Sequence, residues 1–188
     1  MEQLLTTKTQ NNIDRYGVPY AIKMSKSPLG LAEIAKQMDC PVILYSEIPA
    51  DLHALLLDNP LHAVIILYRW QDMYGHFIAC FINEHGIEVF DSTDSTGPDL
   101  LRDLQSPGMA KKLGQSKLRL LSGIRASGLD GNYNDKKLQS AGFETCGRWA
   151  CLRVLFSKLS DEAFYKLLNK QSKRFGLPLD IIAVLATL

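Results

Sequence analysis

The sequence predicts an α+β domain, with a central mixed or antiparallel sheet flanked by helices, over residues 1–188 as a single unit. Three strand-like runs, HAVIILYRW, HFIACFIN and IEVFDS, follow one another in mid-chain. Segments with helical spacing lie before and after these runs instead of alternating with them, which argues against βαβ units. At 46% hydrophobic and 22% charged, the 188 residues can bury a core without disulfides.

The opening MEQLLTTKTQNNIDRYG is polar and lacks the apolar centre of a secretory signal, so an intracellular, reducing compartment is expected. Ser27-Pro28 starts a helix over about 28–38. PVILYSE reads as a short strand, and PADLHALLLDN as a helix ending at Asn59-Pro60. After the three central strands, residues 92–139 are rich in Gly, Ser, Asp and Asn, with one predicted strand at KLRLLS. Helical spacing then returns over roughly 145–158, 160–171 and 178–187. The longest apolar runs, AVIILY and IIAVLATL, fall short of the roughly 20 residues of a membrane span, so no membrane partner is expected.

Charge is uneven along the chain. Residues 1–100 carry 6 Lys and Arg against 13 Asp and Glu, and residues 101–188 carry 15 against 7. A basic half can follow a phosphate backbone, although solvated helix faces account for it equally well. The four cysteines, Cys40, Cys80, Cys146 and Cys151, are too few for a disulfide scaffold and match no zinc spacing. An intracellular cysteine is ordinarily a small buried hydrophobe, so Cys146 needs a specific reason to be read otherwise.

That reason begins at a hairpin. With Asn83 opposite Gly86, the pairing sets Cys80 against Val89 and Ile78 against Asp91. One face then carries His76, Ile78, Cys80, Ile82, Ile87, Val89 and Asp91, and is apolar except for a histidine and an aspartate at the same end. His76 and Asp91 become diagonal cross-strand neighbours, whereas Asp94 goes to the other face, opposite Gly75.

Farther on, LQSAGFETCGRWACLRVLF combines a polar loop with an apolar helix. Thr145 is the expected N-cap, which puts Cys146 on the first turn, where unpaired N–H groups and the helix dipole favour a thiolate. Cys151 lies deeper in the helix, and Gly147 costs helix propensity while permitting close backbone approach. Docked on the His76/Asp91 face, this helix lines up thiol, imidazole and carboxylate. Gln139, by itself an ordinary loop residue, carries an amide able to donate to an oxyanion together with the Cys146 N–H, each donor being worth roughly 10² to 10³ in rate.

The order His, Asp, Gln, Cys, in GHFIACFINEHGIEVFDS and a Gln seven residues before Cys-Gly, resembles the cysteine endopeptidases of the adenovirus maturation protease type, a superfamily shared with the SUMO-deconjugating proteases. The resemblance covers roughly 60–156, and the Gln-to-Cys spacing looks more like the adenoviral branch. The compact chain looks similar to maturation proteases of mavirus-like virophages and related double-stranded DNA viruses. The resemblance implies His76 as base, Asp91 as its orienting acid, Cys146 as nucleophile at the head of a central helix, and Gln139 as oxyanion donor. It further implies viral capsid proteins as substrates, cut near glycine or another small residue, in the host cytoplasm or virus factory and in the virion. No cofactor is required for the chemistry, while viral DNA bound by the basic half, or an activating peptide, stands as a candidate regulator. Phe77 departs from the family pattern, which has Trp there. Rival readings are a deconjugase for ubiquitin-like modifiers, an acyltransferase on the same scaffold, and a non-catalytic DNA- or partner-binding module.

Overall fold

A computed structural model of the protein describes residues 1–71, 74–93, 99 and 105–188. Among them, β1 (Val42–Leu44), β2 (Ala63–Arg69), β3 (Gly75–Asn83), β4 (Gly86–Phe90) and β5 (Gly131–Tyr133) form one mixed sheet in chain order. The inner pairs β2–β3 and β3–β4 are antiparallel, and β1 and β5 join the edges in parallel. The hairpin has the expected register, from Asn83 opposite Gly86 to Ala79 opposite Phe90.

Alternation divides the sheet into two apolar faces. Ala63, Ile65, Leu67, Phe77, Ala79, Phe81 and Phe90 face one core. Val64, Ile66, Tyr68, Ile78, Cys80, Ile87 and Val89 face the other, against Leu52 and Leu56 of α4 (Leu52–Leu57).

The first face is covered by helices α1 (Glu2–Tyr16), α3 (Leu31–Gln37), α7 (Cys146–Leu155), α8 (Asp161–Phe175) and α9 (Leu179–Thr187). Helix α2 (Val18–Met24) packs on α9 through Ala21, Ile181, Val184 and Leu185. Helix α7 is buried from Cys146 to Val154. Its Arg153 is fully buried and pairs bidentately with Glu88 of β4, Nε to Oε1 at 3.0 Å and Nη2 to Oε2 at 2.9 Å. The guanidinium also lies over the Phe81 and Phe164 rings, so the far end of α7 is tied to the sheet by charge, hydrogen bonds and cation–π contact together.

Five elements differ from expectation. KLRLLS is not a strand: it leads into helix α6 (Arg119–Ser127), whose buried Leu120, Gly123 and Ile124 have the three-to-four-residue spacing of a helix face. A Cβ on Gly123 would lie 2.6 Å from Leu52 Cβ, so this helix lies tightly on α4. Helix α5 (Pro107–Lys112) and strand β5 fall in the region read as polar loop. PVILYSE stops as a strand at Leu44 and turns into a 3₁₀ segment over Tyr45–Glu47. The polar N-terminus is helical and buries Leu5, Thr9 and Asn12, and Asn12 Nδ2 donates to the Leu185 carbonyl at 2.8 Å. No helix among the described residues is long and apolar enough to cross a membrane.

Candidate functional site

The site lies where the hairpin ladder ends. Strand β3 begins at Gly75, where a Cβ would lie 1.8 Å from the Tyr68 carbonyl oxygen; only glycine permits this close passage beside β2. His76 follows and is 7% exposed. Its Nε2 is 2.8 Å from Oδ1 of Asp91, the residue directly after β4. That oxygen also accepts from the Thr93 N–H at 2.8 Å and the Thr93 hydroxyl at 2.7 Å. Asn134, which follows β5 and is itself buried, clamps the Asp91 backbone from both sides: its Oδ1 accepts from the Asp91 N–H and its Nδ2 donates to the Asp91 carbonyl, each at 2.7 Å.

The Cys146 sulfur is the other group whose bond and charge bear on the His76 ring. Burial by itself would lower the His76 pKa, but the bonds and charges of Asp91 and Cys146 outweigh it and carry the ring up to about 10. Burial likewise opposes ionisation of Asp91, yet the bond and charge of His76 and the two Thr93 donors hold it below the ordinary carboxylate value. Each member of the pair thus favours the charged form of the other.

Cys146 is the first residue of α7 and is 5% exposed. It opens on a cleft of about 210 Å³ whose walls include Leu29, Gly30, Leu67, Tyr74 and Gly75. Gly147 lets α7 come this close: a Cβ there would lie 2.9 Å from Ile34 Cδ1, 3.3 Å from Phe77 Cδ2 and 3.4 Å from Leu29 Cβ.

The helix does not dock on the face predicted for it. It packs on Phe77, Ala79 and Phe81, whereas Ile78 and Cys80 turn to the opposite core. The predicted Ile78–Asp91 pair does not form, because β4 leaves the ladder after Phe90. Freed from the pleat, Asp91 still reaches His76. Asp94, the carboxylate weighed against Asp91, lies outside the described residues.

Gln139 does not bond Cys146. Its Oε1 accepts from the Ser92 hydroxyl at 3.0 Å and its Nε2 donates to the Phe143 carbonyl at 2.6 Å, which fixes the amide between the residue after Asp91 and the loop before α7. An amide nitrogen has two hydrogens, so this bond leaves one further donor on Gln139. The loop is held from outside as well, by the Glu144 N–H to the Ser25 carbonyl at 2.8 Å and Lys26 Nζ to the Gly142 carbonyl at 2.6 Å. Thr145 is at the N-cap position but makes no side-chain cap, because its hydroxyl turns to Asp180 instead.

Asn134 and Asp180 are the residues that sequence reasoning missed. Neither belongs to a motif, and Asn134 depends on a three-residue strand too short to recognise. Among the described residues, no three His, Cys, Asp or Glu side chains converge to hold a metal ion.

No family model matches the chain, and no curated protein matches it.

Proposed function

We propose that the protein is a cysteine endopeptidase that cleaves viral capsid and structural precursors during virion maturation. The observation that carries this reading is His76 bonded to the buried Asp91 carboxylate, with Cys146 at the head of α7 bearing on the same ring. In this mechanism the thiolate of the Cys146–His76 ion pair attacks the scissile carbonyl, forming a C–S bond and an oxyanion held by the Cys146 N–H and Gln139. Collapse of the oxyanion breaks the C–N bond as His76 gives its proton to the leaving amine, a step worth roughly 10² to 10⁴. Water, deprotonated by the now neutral His76, then hydrolyses the thioester and returns the sulfur as thiolate. Asp91 orients the ring throughout.

The viral substrate class rests on the resemblance in the order and spacing of His76, Asp91, Gln139 and Cys146. Exposed Lys166, Lys170, Lys173 and Arg174 on α8 support DNA as a regulator, bound through phosphates.

The test is incubation of the purified protein with capsid precursors of double-stranded DNA viruses, followed on gels. Wild type cuts the precursor and Cys146→Ala does not. Full cutting by Cys146→Ala overturns the assignment, and cutting of a ubiquitin-like precursor with no cutting of capsid protein transfers it to a deconjugase.

A further inference from the structure

One carboxylate far from the site in sequence holds both ends of the segment that carries the oxyanion donors. Asp180, in the first turn of α9, is fully buried, and no salt bridge to it is present among the described residues. Its charge is met by three donors from one short stretch of chain. Oδ2 accepts from the Ser140 N–H at 3.0 Å. Oδ1 accepts from the Thr145 hydroxyl at 2.5 Å and from the Trp149 indole Nε1 at 3.0 Å. Ser140 directly follows Gln139, and Thr145 directly precedes Cys146.

We propose that Asp180 is a positioning residue that sets the spacing between the Gln139 amide and the Cys146 N–H, and so forms the oxyanion pocket without touching substrate. This rests on the endopeptidase reading of the site. A buried carboxylate satisfied only by hydrogen bonds is costly to desolvate, so an apolar residue would fill the same space at less expense. What the carboxylate adds is two acceptor oxygens at fixed separation, one for each end of the loop. Trp149 ties the same oxygen to the second turn of α7, so the register of the loop on the helix is set at the same point.

The two halves of the clamp can be separated. In Asp180→Asn the remaining oxygen can still accept from Thr145 and Trp149, but an NH₂ group then faces the Ser140 N–H, donor against donor. The Gln139 end is released, while the Cys146 end stays held.

Two reagents read the two ends independently. Iodoacetamide is attacked by the thiolate with loss of iodide and forms no oxyanion. p-Nitrophenyl acetate is attacked at its carbonyl: a C–S bond forms, an oxyanion develops, and the C–O bond breaks as p-nitrophenolate leaves with the electron pair. Both rates are taken at Cys146, with Cys146→Ala as background and urea unfolding as the control for folding.

Asp180→Asn is expected to keep the wild-type alkylation rate and to lose about ten-fold in acylation, less than the roughly 10² to 10³ of a donor removed outright. Thr145→Val, which removes the other end's hydroxyl, supplies a second variant and also lowers the acylation-to-alkylation ratio. Ratios equal to wild type in a folded variant, or equal loss of both rates, reduce Asp180 to an ordinary structural residue and overturn the proposal. If wild-type Cys146 alkylates no faster than it does in His76→Ala, the endopeptidase reading fails instead, which is a different result.

Discussion

Gly147→Ala adds a single methyl group at the point where α7 touches the sheet. The new carbon would sit 2.9 Å from Ile34 Cδ1, 3.3 Å from Phe77 Cδ2 and 3.4 Å from Leu29 Cβ. Ile34 is fully buried and Phe77 is 5% exposed, so neither side chain has open space into which to retreat. Overpacking of this kind costs about 1–3 kcal/mol, and exchanging glycine for alanine in a helix returns up to about 1 kcal/mol. The net expectation is a destabilisation of about 0–3 kcal/mol, read as a shift in the urea midpoint at unchanged slope. The strain is relieved most easily by lifting the first turn of α7, which carries Cys146 away from His76. Displacements near 1 Å are costly in a preorganised site, so alkylation of Cys146 by iodoacetamide at pH 7 should fall about ten-fold or more. A variant more stable than wild type by the full helix-propensity gain, with unchanged alkylation, would show that α7 is not pinned against Leu29, Ile34 and Phe77, and the account of how the thiol is placed would fail.

Three further outcomes follow from the same geometry. Asp91→Asn removes the strongest support for the charged ring, so the alkaline limb of precursor cleavage, set in wild type by loss of the His76 proton near about 10, should move to lower pH. In linkage terms, a histidine raised from 6.5 to about 10 contributes stability that is fully present below 6.5 and is lost as pH rises through about 10; the wild type should lose stability over that window, and Asp91→Asn less, as followed by urea midpoints against pH. Asn134→Ala leaves the Asp91 N–H and carbonyl without their side-chain partners in a buried position, a loss of about 1–3 kcal/mol for each unsatisfied group, read by urea denaturation.

The hairpin was legible from Asn83 opposite Gly86 to Ala79 opposite Phe90 because its turn is short and its faces alternate, whereas the contact of His76 with Asp91 lies beyond that ladder, which ends before the expected Ile78–Asp91 pair. The face onto which α7 docks was not legible. Both faces of this sheet are apolar, and alternation cannot say which of two apolar faces a helix will take. Helix α6 was misread because KLRLLS alone has alternating leucines, and its helical period becomes clear only when Gly123 and Ile124 are included. The first helix was hidden because two of its buried positions, Thr9 and Asn12, are polar, a pattern that a search for apolar spacing passes over. Arg153 misleads in the same way: a charged residue in a helix suggests a solvated face, and only the partner Glu88 and the two phenyl rings make its burial tolerable.

These limits have a common physical origin, which also explains where the site formed. Regular elements are determined by local periodicity, and periodicity is informative only while the ladder continues. His76 is the second residue of a strand, Asp91 is one residue beyond the end of another, and Cys146 opens a helix. Each is at or near the end of its element, where regular backbone pairing runs out and side chains take up groups such as the Asp91 backbone. Asn134 takes up the unpaired Asp91 backbone, Ser92 and Phe143 fix Gln139, and Asp180 holds Ser140 and Thr145. The polar side chains that satisfy these ends are therefore the same ones that fix the reactive groups in place, and removing any of them should disturb folding and chemistry together, with only donor-selective changes such as Asp180→Asn separating the two.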